Sequence, residues 1–390
     1  MKRIILLLLT SLTLMATPSL AQEIPEMKKA DAKKLAKAVG TWLNADIAND
    51  AGERLDARDE ILKMLEGFEK KKLTAAEIYR YSNDWQAALE GRAGKFPKAK
   101  PGKFTETEKS LPGGGPIEYW VPNNYKPKNG GSPLLLYAGD GGALTQESIS
   151  GLPAEVLTDC VVAPVSLAGL KDDALLSEGR NNLLYTVALL TMELRLDRNR
   201  VYLVAGGDAV EPAVVLSSWL PHVIAGLAAF SADVPKDSVS EKNFGLLSIH
   251  EAADAAAAAS WVLNAPPRNM YRQEVSFDLG PQKFPRFYWV QVKKFDPPED
   301  GKVPTISVKA DPATNTITID AERVYQVELF LNYSLVDLNK PIKIIRNGQE
   351  LTLTATPGFS TLLESCKAYL WDTSCIFPTK LRGIDIPDKE

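Results

Sequence analysis

Few residues in this 390-residue chain are equipped for chemistry, and they cluster in three short stretches. The first is "VYLVAGGDAV", Val201 to Val210. An apolar run ends in two glycines and an aspartate, and a helix-like segment follows, which predicts a strand, a sharp turn and a helix. Gly207 stands at the tip of that turn and has no side chain with which to react. Asp208, next to it, is a carboxylate. The second stretch is Tyr137-Ala138-Gly139-Asp140-Gly141-Gly142, another apolar run that breaks into a glycine-rich loop carrying one acid. The third is "IHEAAD", with His250 and Asp254 four residues apart. Tyr137, Gly139, Asp140, Gly141, Asp208 and His250 are the candidate binding residues. Asp254 precedes the run Ala255–Ala259 and reads first as a helix N-cap. The chain has two histidines, His222 and His250, and neither an H-E-x-x-H motif nor paired cysteine spacing. No metal ligand set follows from this, and no cofactor is expected.

The elements that must position these stretches are legible from periodicity. Leu134–Tyr137, Val161–Val165, Val201–Ala205, Val223–Phe230 and Phe244–Ile249 are short apolar runs. Between several of them lie segments of helical spacing, such as Leu184, Val187, Ala188 and Met192. Runs of this kind, alternating with helices, predict a buried parallel sheet with crossover helices. The expected α/β domain spans 111–268.

Either side, the texture differs. Residues 22–90 read as helical, with Leu35, Val39, Trp42, Leu43 and Ile47 at helical spacing and Thr74 and Glu77 as a capping box. A Gly-, Pro- and Lys-rich linker is expected at 91–110. Residues 269–357 hold alternating β-rich segments, with Asn347-Gly348 as a hairpin signal, and predict a small β-sandwich-like module with its own core. Residues 358–390 read as a C-terminal helix and tail.

The first 21 residues have a basic start at Lys2 and Arg3, an apolar stretch and a small-x-small site at Ser19-Leu20-Ala21. They read as a signal peptide, so an exported, periplasmic or extracellular protein is expected, with no membrane span after cleavage. In an oxidising compartment Cys366 and Cys375 are a candidate disulfide. A formal net charge of −4 without a basic block argues against a nucleic-acid partner.

The middle of the chain resembles the α/β-hydrolase superfamily, in particular secreted bacterial esterases and peptidases of the polyhydroxybutyrate-depolymerase and prolyl-oligopeptidase type. The matching stretches are "EYWVPNNYKPKNGGSPLLLYAGDGG", "CVVAPV", "LDRNRVYLVAGGDA" and "GLLSIHEAAD". The tail looks like a β module appended to some such proteins. The resemblance implies a G-x-S-x-G turn at residues 205–209, where Gly207 takes the serine's place. It implies an acid at Asp254 and a histidine after an eighth strand, and no histidine follows His250. It also implies that the 137–142 loop faces the turn, so Asp140 and Asp208 would put two acids in one cleft. A carboxylate there opposes an oxyanion and suits a cation or a polyol.

The expectation is therefore an exported, catalytically inactive relative that binds a small molecule or an envelope protein. Two alternatives stand beside it. One is an active hydrolase using Asp208 as nucleophile; the other is an envelope interaction protein acting through its helical and β modules.

Overall fold

The computed structural model describes residues 29–47, 50–70, 99–110, 116–127, 130–139, 146–280, 285–299 and 302–389. The expected signal peptide, the capping box at Thr74 and the loop residues Asp140 and Gly141 lie outside these.

The central sheet has seven strands in the order β1-β2-β4-β3-β5-β6-β7. They are β1 (Lys103–Ser110), β2 (Pro116–Val121), β3 (Ser132–Ala138), β4 (Val161–Pro164), β5 (Leu196–Gly206), β6 (Gly226–Phe230) and β7 (Ile249–Ala252). The run β4-β3-β5-β6-β7 is parallel throughout, and β1 and β2 form an antiparallel edge. This is a mostly parallel, α/β-hydrolase-like sheet that ends at a seventh strand among the described residues.

Alternation along the strands explains its two covered faces. Leu134, Leu136, Val201, Leu203, Leu227 and Ala229 point to one side. There they meet α4 (Arg180–Glu193) and α5 (Val210–Trp219). Leu135, Val162, Tyr202, Val204, Ala228 and Phe230 point to the other. That face is closed by α3 (Ala154–Asp159) and α6 (Ala255–Trp261). Each fully buried Leu or Val contributes about 1.5–3 kcal/mol, so both faces fix the register strongly.

Three expected boundaries change. Residues 103–110, expected within the linker, form the edge strand β1. Its sequence is polar, but Phe104 packs edge-on to Trp120 at 5.8 Å. The buried Thr107 accepts a hydrogen bond from Ile117 N–H at 3.0 Å. Val223 and Ile224 are buried in a turn, and β6 begins only at Gly226. Phe244 ends a short helix, Glu241–Phe244, that Ser240 caps, so β7 starts at Ile249. A short apolar run signals burial and cannot by itself separate strand from turn.

The β module is a sandwich of a five-stranded sheet, β15-β14-β12-β11-β8, and a four-stranded sheet, β16-β13-β10-β9. The former comprises β8 (Glu274–Asp278), β11 (Thr305–Asp311), β12 (Thr316–Glu322), β14 (Ile342–Arg346) and β15 (Gln349–Leu353). The latter comprises β9 (Arg286–Phe287), β10 (Val290–Phe295), β13 (Val324–Leu331) and β16 (Thr379–Asp385). Their inner faces share one core, in which Phe277 stacks on Phe287 at 3.7 Å. Strand β16 comes from the tail, so the sandwich is completed by residues beyond 357. The hairpin turns at Asn347-Gly348 as expected, with φ of 46° and 86°.

The helical segment does not have a core to itself. Helices α1 (Lys29–Ile47) and α2 (Ala51–Lys70) pack through Leu35, Leu43 and Ile61 against Phe359 and Leu362 of α7 (Phe359–Ala368). The buried Asp46 receives Arg54 at 3.0 Å and Lys367 at 3.1 Å across that contact.

Candidate functional site

Strand β5 delivers the turn that the sequence singled out. Gly206 is extended, with φ −126° and ψ 152°. Gly207 follows with φ 52°, and a single 3-10 turn leads into α5. The left-handed conformation at Gly207 is what makes the turn sharp. Asp208 is exposed on its outer side, and Ala209 and Val210 are buried beneath. The architecture of an elbow is present, and its apex has only a hydrogen to offer.

Two aromatic rings pack at the carboxyl ends of the strands beside the turn. Tyr137, at the end of β3, stacks with Phe230, at the end of β6, at 6.2 Å and 25°. The Phe230 ring lies directly over Gly206, so a methyl group there would overlap its Cζ and Cε2 atoms. The Tyr137 ring likewise lies over Gly139, where an added Cβ would come within 3.0 Å of the hydroxyl. Both glycines are therefore required by the close approach of an aromatic ring. Phe230, which reads in the sequence only as the end of a core strand, thus packs on the strand that carries the turn.

The two remaining candidates serve the packing. His250 lies on β7 opposite Ala228 and stacks on Trp261 of α6 at 5.5 Å, nearly parallel at 6°. Asp254 caps α6, its carboxylate accepting from Ala257 N–H at 2.8 Å. His222 lies between α5 and β6, at the amino-terminal edge of the sheet. Its ring meets Tyr369 edge-on at 5.9 Å, and its Nδ1 is buried without a partner. Burial, and then Arg286, Arg268 and Arg180, push its pKa well below the usual histidine value. Neither histidine is poised beside a nucleophile.

Two cavities bounded by described residues lie elsewhere. One of about 570 Å³ sits at the amino ends of the strands, beside Asn124, Glu155, Asp159 and Arg200. The other, of about 260 Å³, runs beside α5. Tyr137, Gly139, Asp208, His250 and Asp254 line neither. Among the described residues no cluster of three or more His, Cys, Asp or Glu could hold a metal, and no helix is long and apolar enough to cross a membrane.

The expected bridge between Cys366 and Cys375 is not formed, and both thiols are buried. Cys366 Sγ donates to the Asp372 carbonyl at 3.5 Å and lies within the helical core. Cys375 lies in the β-module core.

A buried charge cluster that spacing could not reveal joins β5 and the segment after α6 to the chain's tail. Asp372 receives Arg268 at 2.7 Å, and Arg198 lies at 3.8 Å. Arg268 also donates to Ser374 Oγ at 2.9 Å and Asn199 Oδ1 at 3.1 Å. Nearby, Arg286 sits over the Tyr369 ring at 4.5 Å and the Phe330 ring at 5.2 Å.

No family model matches the chain. No curated protein matches it either. Among solved structures it is similar to a thermostable esterase, at 15% identity over 42% of this chain and 60% of that one, with a TM-score of 0.28. It is similar to EstE1, a thermophilic carboxylesterase cloned from a metagenomic library, at 19% identity over 41% and 55%, TM-score 0.24. A sugar hydrolase from Lactococcus lactis matches at 13% identity over 33% and 53%, TM-score 0.25. The match spans less than two thirds of each neighbour's own length. Superpositions this loose carry no functional weight, and the α/β-hydrolase-like description rests on the strand order and the elbow of the chain itself.

Proposed function

We propose that this chain is an exported, catalytically inactive α/β-hydrolase-like protein with a binding or scaffolding role. The observation that carries this reading is the elbow. Gly207 occupies the position from which a nucleophile would project, and it has no side chain. A serine mechanism needs a nucleophile, a base in hydrogen-bond reach and a group that orients the base. Supporting the reading further, His250 is stacked on Trp261 and Asp254 is committed to a helix cap. The apolar, basic-led start of the sequence supports export.

The test is purified protein treated with a fluorophosphonate serine-hydrolase probe and assayed against short acyl esters. No labelling and no turnover are expected. Turnover abolished by Asp208→Ala would replace this reading with an aspartate nucleophile. Turnover that survives that change would place a catalytic site elsewhere in the chain.

A further inference from the structure

On the same edge of the sheet as the elbow, the loop after β4 leads into a helix of unusual build. Asp172 is a non-glycine residue at φ 48°. Three residues on, Leu175–Gly179 form a π turn before α4 begins. Left-handed non-glycine residues and π turns each carry a cost that functional sites commonly retain. Here both border the groove of about 260 Å³ beside α5.

The groove has an apolar floor and a charged rim. Leu175, Leu176, Val215 and Trp219 form the floor. Leu176, Val215 and Trp219 remain partly exposed there. Gly179 lets the walls close, since a Cβ on it would press on Leu170 at 3.0 Å and Leu175 at 3.1 Å. The rim carries Lys171, Asp172 and Glu211, all exposed. None of the three takes part in an ion pair or side-chain hydrogen bond among the described residues. Two carboxylates against one ammonium leave the mouth negative. A concave apolar floor with a few convergent polar groups is the usual form of a small-molecule site.

We propose that this groove binds an amphiphilic cation: a compact aromatic or branched aliphatic body lying on Leu176, Val215 and Trp219, with a primary ammonium between Asp172 and Glu211. The site is separate from the elbow, so it stands whether or not the elbow is active.

The test uses the full mature chain and three probes that share a phenyl body: 2-phenylethylamine, 3-phenylpropionate and benzyl alcohol. Each is titrated while the indole N–H resonance of Trp219 is followed, assigned by its loss in Trp219→Phe. The amine is expected to move that resonance at millimolar concentration, with affinity about tenfold above the acid. Asp172→Asn with Glu211→Gln should remove the preference and leave the melting temperature near its original value, because asparagine also tolerates the left-handed backbone. Val215→Trp should fill the floor and abolish binding of all three. Equal affinity for amine and acid, a preference that survives the double variant, or a silent Trp219 resonance with every probe would each overturn the proposal.

Discussion

Arg268 and Asp372 meet at 2.7 Å with side chains only 1% exposed, and the contact joins the segment after α6 to the chain's tail. Arg198 of β5 completes a buried cluster of two guanidiniums and one carboxylate. Burying charges costs several kcal/mol per ion, so the cluster is no evidence of net stabilisation over an apolar junction. Breaking it is another matter. Asp372→Asn leaves two buried arginines without a counter-charge and should cost about 3–5 kcal/mol in urea unfolding. Burial alone would raise the Asp372 carboxyl, but Arg268 and Arg198 overcome it and hold it well below the usual carboxylate range. A depressed carboxyl contributes its full stability above the unfolded value, about pH 3.9, and loses it as the pH falls below that. Acid unfolding in that range should be less steep in Asp372→Asn.

The second prediction separates a milder acid response. His222 is held well below the usual histidine value by burial and by Arg286, Arg268 and Arg180. The unfolded chain therefore takes up a proton below about pH 6.5 that the folded chain refuses. The unfolded state binds more protons, so stability rises with pH up to that value and is flat above it. Between about pH 5 and 6 the stability should fall as the pH falls, by at most about 1.4 kcal/mol per pH unit on account of His222. His222→Gln should remove that slope. An unchanged slope would mean that another group titrates there.

The hairpin allows a graded test. Asn347 has φ 46° and uses its amide as a second backbone. Its Oδ1 accepts from Ala321 N–H at 2.8 Å, and its Nδ2 donates to Ala321 O at 3.0 Å and Pro387 O at 2.8 Å. Asn347→Gly keeps the turn and loses these bonds; Asn347→Ala loses both. The expected order of thermal stability is wild type, then Asn347→Gly, then Asn347→Ala, with the last about 2 kcal/mol down. Equal stability of the two variants and the wild type would show that the bonds contribute nothing.

Asn347-Gly348 was legible because a turn's chemistry is local: two adjacent residues tolerate positive φ, and flanking alternation does the rest. The parallel strands were legible for a similar reason, since runs buried on both faces stay apolar throughout. What escaped reading depends on distant partners. Strand β1 is polar, and its place is fixed by β2 and by Phe104 on Trp120. Strand β16 and helix α7 belong to cores assembled from far earlier residues. No spacing pairs Arg198 with Asp372, and nothing beside Phe230 in the sequence indicates that its ring covers Gly206. The emptiness of the elbow could be read from Gly207 alone, whereas the ring on Gly206 needed the register of β5 and β6.

The cysteines give a direct chemical test. Burial pushes the Cys160 thiol up to about 12 and the Cys375 thiol well above its usual value. Thiolate is the reactive form, so all three cysteines should resist a thiol reagent in the folded protein and react together on unfolding. Denatured protein from an exported source should titrate three thiols. Finding one would mean that Cys366 and Cys375 bridge in that compartment after all.

Gly206 and Phe230 compete for one space. Gly206→Ala places a methyl group where the Phe230 ring now lies, and the ring must move or the strand must shift. Overpacking of this kind costs about 1–3 kcal/mol. Phe230→Leu shortens the side chain and should cost its own packing, including the stack on Tyr137. Together the two changes should cost less than their sum, because the second removes the obstacle that makes the first expensive; strict additivity would mean that the two residues do not compete for the same space. A nucleophile restored at the turn should still not create a hydrolase. Gly207→Ser in the Phe230→Leu background supplies an attacking oxygen, but a serine without a base is a weak nucleophile at neutral pH. His250 is held against Trp261 and His222 lies at the other edge of the sheet. The double variant should remain unlabelled by a fluorophosphonate and inactive on short acyl esters. Labelling of the introduced serine at a rate approaching that of an active esterase would show that a base is within reach of the turn.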